Sequence, residues 1–167
     1  RDSPLTFVVI LTDVLKAVVA ILVGASLFSG IAVDVAWVPY FTILGKYWSA
    51  LFCLLGHMFP CMFHFKGGKG ILSGGTIALM MDWRIALVVW GGFLILAIVT
   101  RYVSLGSVWA GASFPFISWY CYPYFSIVVL AFIIGGLVVW QHRGNIRRLL
   151  HGNENKFSLH PKREGKT

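Results

Sequence analysis

The segment His64-Phe65-Lys66-Gly67-Gly68-Lys69-Gly70 sets two lysines and three glycines into a chain that is otherwise almost continuously apolar. Glycine lets backbone N–H groups approach a ligand closely, and the lysines add positive charge, so the segment suits an anion. The apolar run resuming at Ile71 predicts a helix that starts at Gly70, and helix amino ends favour phosphate. An anion-binding loop at a membrane surface is one reading. The other is a flexible turn whose lysines anchor helix ends among lipid headgroups. KGGKG is not a Walker loop, which requires G-x-x-x-x-G-K-[ST].

A second polar segment follows Trp140 and runs from Gln141 to Glu154. If it is helical, His142 and Asn145 share a face, with Arg148 one turn later. Imidazole, amide and guanidinium groups on one side can bind a phosphorylated substrate and handle a proton. A basic juxtamembrane helix held by anionic lipid fits the same residues. Asp13 and Lys16 stand three apart in an apolar run, where charge is expensive, so their spacing predicts an inward pair rather than snorkelling to the interface. His57, in Gly56-His57-Met58-Phe59-Pro60, lies roughly two to three helical turns from Lys66 and Lys69. It is either a packed structural histidine or part of the same site.

The elements that must position these groups read as membrane helices. Of the 167 residues, 58% are hydrophobic and 12% charged, with a mean hydropathy of +0.80, far too apolar for a soluble domain. Apolar stretches are expected at about 5–28, 46–63, 85–100, 103–120 and 124–140, with a short one at 70–81 after the glycine-rich loop. At 1.5 Å per residue the short stretch spans only about 18 Å. The intervening 29–45, with Asp34, Pro39 and Gly45 and no basic residue, reads as an outer connection. The expectation is an all-α integral membrane protein of six transmembrane helices, one of them short. Residues 1–154 form one transmembrane domain and 155–167 a basic, polar, disordered cytoplasmic tail. No cleavable signal peptide is apparent.

The net charge of +8 falls largely in connecting segments and in the tail, which points to lipid headgroups and not to nucleic acid. The positive-inside rule places the start of the chain, the Lys66–Lys69 loop, the Arg101 turn and the segment from His142 on the cytoplasmic side. Cys53, Cys61 and Cys121 lack metal-ligand spacing and read as small buried hydrophobes, so no metal is expected.

Four blocks now line up. They are Asp13-Val14-Leu15-Lys16, the run GHMFPCMFHFKGGKG from Gly56, RYVSLGS from Arg101, and HRGNIRRLLHGNE from His142. In this order they resemble the signatures of the bacterial acyl-phosphate:glycerol-3-phosphate acyltransferase family, PlsY. The resemblance implies an inner-membrane enzyme, its site facing the cytoplasm, that moves an acyl group from acyl phosphate to the 1-hydroxyl of glycerol 3-phosphate. The product would be lysophosphatidate, made for phospholipid synthesis without a cofactor. It implies catalytic roles for Lys69, Ser107, His142 and Asn145. Lys66, Gly67, Gly68 and Gly70 would hold the donor's phosphate, and His57, Ser104, Arg101, Arg143, Arg148, Asp13 and Lys16 are further substrate-binding candidates. Partners would be the two substrates and the bilayer. The family's first helix and its Ser/Gly/Asn-rich first signature do not precede Asp13, so a seven-helix fold lacking its first helix is expected, in a truncated member. The alternatives are a small transporter for anionic or phosphorylated solutes, whose inverted repeats are not visible here, and an inactive remnant.

Overall fold

Helix α1 (Pro4–Ser29) is apolar along nearly its whole length, and most of its large side chains, from Leu5 to Leu27, are exposed on the bundle's exterior. Such a surface is tolerable only against lipid or another apolar element. The computed structural model describes residues 4–65 and 67–157. Six further helices follow: α2 (Val38–Met58), α3 (Ile71–Met81), α4 (Trp83–Thr100), α5 (Val103–Cys121), α6 (Phe125–Gln141) and α7 (Arg143–Leu150). No strand occurs among the described residues.

The second helix begins eight residues earlier than its apolar pattern suggests. Pro39 reads as a breaker in the sequence, but it sits in the first turn of α2, where a missing N–H costs nothing. The expected outer connection shrinks to a short turn and a 3-10 turn (Val35–Trp37), capped by Asp34 accepting from Ala36 N–H. Helix α2 also ends early, at Met58 and not at 63, and the remaining boundaries fall within two residues of expectation.

By length and composition, α1, α2 with its flanking turns, and α4 are each able to cross a membrane. Helix α6 qualifies only together with α7, from which it bends by 56°. Helix α3 has 11 residues, and α5 carries Pro115 and several serines.

Glycines set the helix spacing at two crossings. A Cβ at Gly45 would stand 2.2 Å from the Gly24 carbonyl oxygen, and one at Gly135 would stand 2.5 Å from that of Gly111. Small residues of this kind let membrane helices pack backbone to backbone. Between the helices Tyr47, Leu54, Met58, Ile77, Ile85, Phe114, Ile127 and Ile134 form the core.

Antiparallel neighbours bring the glycine-rich loop, the α4–α5 turn and the α6–α7 bend to one end of the bundle. At the other end Asp82 caps α4 through Arg84 N–H and pairs with the Arg84 guanidinium at 2.9 Å. Tyr122 O–H donates to the same carboxylate, tying the α3–α4 turn to the α5–α6 turn. The Arg84 hydrogen bond holds the Asp82 carboxyl well below the usual carboxylate range. Lys46 donates to Met80 O, one of the last carbonyls of α3, where a cation suits the helix dipole.

Candidate active site

Helix α2 ends at Met58, and Pro60 prevents its continuation. The chain then turns through Cys61–Phe63 and enters the loop with His64 and Phe65 at φ of 52° and 58°. Gly67 N–H donates to Met58 O and Gly68 N–H to His57 O. The expectation that the glycines leave their N–H groups free is therefore corrected for Gly67 and Gly68. The last carbonyls of a helix lack partners of their own, and these two glycines supply them. Glycine is needed there for space: a Cβ at Gly67 would lie 2.1 Å from His57 O, and one at Gly68 would lie 2.4 Å from His57 Nε2. Among the described residues the amides of the first turn of α3 stay available; that turn follows a left-handed Gly70 and has no side-chain cap. Lys66 lies outside the described residues.

Asp13 and Lys16 pair, as their spacing predicts, with Lys16 Nζ 2.6 Å from Asp13 Oδ1. The same ammonium lies 2.5 Å from His57 Nδ1. The three side chains form one part-buried cluster between α1 and α2, with the His57 ring directly under the glycine-rich loop.

At the bend between α6 and α7, His142 is wholly buried. Its Nδ1 lies 2.8 Å from Val138 O. A carbonyl only accepts, so Nδ1 carries the proton and Nε2 presents a lone pair; that atom is buried and has no partner among the described residues. Burial, aided by the nearby charge of Lys69, pushes the imidazole pKa below its ordinary value.

One turn on, Asn145 donates to Glu154 Oε1 at 2.8 Å, and Arg148 Nε to Oε2 at 2.7 Å. Ser104 Oγ, also buried, faces the same carboxylate. Burial alone would raise the Glu154 pKa, but the hydrogen bonds from Asn145 and Arg148 prevail and hold it at about 2. A depressed carboxylate supplies stability that is fully present above its unfolded pKa and lost as pH falls through the folded one. Glu154→Gln is expected to cost about 2 kcal/mol of stability near neutral pH, in line with losing charge-assisted hydrogen bonds. That deficit should shrink below about pH 4 as the wild-type carboxylate itself protonates, which thermal unfolding in detergent at stepped pH will measure.

Two openings meet at the loop. An open groove of about 590 Å³ is lined by Gly67 and Lys69 together with Arg143, Asn145, Arg147 and Arg148 of α7. An apolar slot between α3, α4, α5 and α6 is lined by Gly70, Gly74 and Gly75, with Trp90, Phe93, Ser107 and Gly111 among its other walls. Lys69 faces the groove and Gly70 the slot, so the polar and apolar openings adjoin along one stretch of backbone.

The structure thus brings Lys69, Asn145, Arg143 and Arg148 to one groove, with His142 beneath it and Ser107 in the adjoining slot. Ser107 Oγ donates to Val103 O in its own helix. The Arg143 guanidinium lies 4.0 Å over the Trp140 ring. Arg101 stands apart: it ends α4 in a left-handed conformation, and its carbonyl accepts from Phe157 N–H. This contact draws 155–157, the start of the expected tail, onto the α4–α5 turn; 158–167 lie outside the described residues. Sequence reasoning did not single out Glu154, Arg147 or Gln141, whose side chain donates to Gly68 O. A lone acid closing a basic segment was the available signal for Glu154. Among the described residues no cluster of His, Cys, Asp or Glu is arranged to hold a metal ion.

A family model described as glycerol-3-phosphate acyltransferase matches residues 3–152. The chain belongs to the glycerol-3-phosphate acyltransferase family. The Fusobacterium nucleatum glycerol-3-phosphate acyltransferase is 34% identical over 151 residues, covering 90% of this chain and 72% of that one. The Methylobacillus flagellatus protein of the same name is 33% identical over 110 residues, covering 66% of this chain and 56% of its own. The chain thus spans little more than half the length of some curated family members it matches. A crystal structure of PlsY (YgiH), an integral membrane glycerol 3-phosphate acyltransferase in its glycerol 3-phosphate form, superposes with a TM-score of 0.73. It is 29% identical, over 91% of this chain and 70% of that one. The lysophosphatidic acid form superposes at 0.61 with 24% identity, a likeness of fold alone. Family membership and the apolar helices together make this an integral membrane protein.

Proposed function

We propose that the chain transfers a fatty acyl group from acyl phosphate to the 1-hydroxyl of glycerol 3-phosphate, giving lysophosphatidate and inorganic phosphate for phospholipid synthesis. The observation that carries this reading is the junction of a cationic groove with an apolar slot at Lys69 and Gly70. A lipid-tailed phosphate and a small phosphate ester need those two environments side by side.

Acyl phosphate is a mixed anhydride whose phosphate is already a good leaving group, so no covalent enzyme nucleophile is required. The protein's task is to bring two anions together and neutralise them. Lys69 and the free first-turn amides of α3 hold the donor's phosphate, while the slot accepts the first carbons of its tail. Asn145, Arg148 and Arg143 receive glycerol phosphate in the groove. The substrate hydroxyl attacks the acyl carbon, the bond from that carbon to the phosphate oxygen breaks, and phosphate leaves with the electron pair. His142 Nε2, with its lone pair free, takes the hydroxyl proton.

The site faces the cytoplasm of a bacterial inner membrane crossed six times, with residues 1–154 as the membrane domain and 155–167 as its tail. Support comes from the gathering of Lys69, Arg101, Arg143, Arg147 and Arg148 at one end of the bundle. The test is incorporation of labelled glycerol 3-phosphate into lysophosphatidate by the purified chain in vesicles supplied with a long-chain acyl phosphate. Absence of product, or product without acyl phosphate, overturns the reading.

A kinetic consequence follows from His142. Its neutral form is the active one, so kcat should fall as pH drops through its burial-lowered pKa and level off above it. His142→Ala should lower kcat by about 10²-fold, the usual scale of general-base loss, and flatten that acid limb. An unchanged pH profile would give the proton to the departing phosphate instead.

A further inference from the structure

Three groups outside the groove converge on the underside of the glycine-rich loop. Lys16 Nζ lies 2.5 Å from His57 Nδ1 and 2.6 Å from Asp13 Oδ1. An ammonium has hydrogens to give and no lone pair, so His57 Nδ1 is the acceptor in this contact. A ring that accepts at Nδ1 carries its proton on Nε2. Of the ring atoms, Nε2 would come nearest a Cβ added at Gly68, at 2.4 Å. The proton therefore sits at the edge of the ring that faces the loop. Among the described residues no acceptor bonds to it, while the neighbouring Gly67 and Gly68 N–H groups are already committed to Met58 O and His57 O.

We infer that His57 is a phosphate-binding residue of the loop, its Nε2–H supplying a donor that the two glycine amides cannot, with Lys16 and Asp13 as the positioning residues that fix its tautomer. The ligand is a phosphate group, and the donor's phosphate is assigned because Gly70, which lines the apolar slot, lies by the same edge of the ring, a Cβ there falling 3.8 Å from His57 Cδ2. The two histidines are then complementary: His142 offers a lone pair and His57 an N–H. The inference rests on the acyl-phosphate reading for the identity of its ligand, and it is tested by binding, which needs no turnover.

The probes are a non-hydrolysable long-chain acyl phosphonate and glycerol 3-phosphate, titrated separately into detergent-solubilised protein. His57→Gln keeps an amide N–H near the position of Nε2, whereas His57→Asn keeps polar atoms only near Nδ1. His57→Asn should weaken the phosphonate about tenfold and glycerol 3-phosphate less than about twofold, and His57→Gln should stay within about threefold of wild type for both. Equal losses in the two variants overturn the inference, and so does a loss falling on glycerol 3-phosphate. Independently of any His57 variant's folding, ¹⁵N spectra of labelled wild-type histidines should contain an Nε2–H signal that becomes a tautomer mixture in Lys16→Met. An Nδ1–H tautomer for His57 also overturns it. Normal phosphonate binding with no acyl transfer would instead defeat the proposed reaction and leave this assignment standing.

Discussion

Lys69→Ala is expected to lower kcat/KM for acyl transfer by at least about a hundredfold, on the scale of removing one preorganised charge-stabilising group. Lys69 is an exposed lysine on the wall of the groove, and its charge reaches the buried His142. In the proposed reaction it stands where the donor's phosphate gains negative charge as the acyl bond breaks. In water an exposed ammonium counts for little, but a groove roofed by substrate and walled by apolar helices weakens the screening. Lys69→Arg keeps the charge with a different reach and should recover part of the rate, with the remaining deficit mostly in kcat. Initial rates of phosphate release with both substrates varied provide the check. An alanine variant within threefold of wild type would remove Lys69 from the site.

Gly45→Val is the change expected to cost most in stability. A Cβ at position 45 would meet the Gly24 carbonyl oxygen at 2.2 Å and Phe28 Cβ at 2.7 Å, and backbone cannot yield as a side-chain tip can. Helix α1 must move off α2, and over-packing of this kind costs about 3 kcal/mol. The displacement also reaches function, because α1 carries the Asp13–Lys16 pair that meets His57 of α2. Gly136→Ala is the control: its Cβ meets nothing within 4 Å, so replacing a mid-helix glycine there should be neutral or mildly stabilising, by up to about 1 kcal/mol. Thermal unfolding of both variants in detergent, with acyl-phosphonate affinity alongside, measures the two effects. Equal stability for both would mean that the Gly24–Gly45 contact does not set the helix spacing.

How far the sequence disclosed this arrangement depended on the kind of signal. Apolar runs bounded by Asp82, Arg101 and Cys121-Tyr122-Pro123 marked α4, α5 and α6 closely, because a membrane helix must keep its polar breaks at the ends. Pro39 misled, since a proline in the first turn and a proline that stops a helix look alike until the turn before it is seen. The pairing of Asp13 with Lys16 was legible from spacing, but the arrival of His57 at the same ammonium was not. That contact depends on how α1 crosses α2 at Gly24 and Gly45. In the glycine-rich loop, residue types hid that Gly67 and Gly68 spend their N–H groups on the end of α2. Glu154 went unremarked for a similar reason. An acid in a basic segment reads as solvated until Asn145 and Arg148 are seen to close around it.

The central claim is that two segments more than seventy residues apart, one bearing Lys69 and the other His142 and Asn145, act as a single site. A double-mutant cycle on kcat/KM tests it most directly, using Lys69→Ala, Asn145→Ala and the combination. Groups that act as a unit should be strongly non-additive, the double variant falling little below the weaker single one. Losses that simply multiply would mean that the loop and the α7 segment work independently, and would contradict the account.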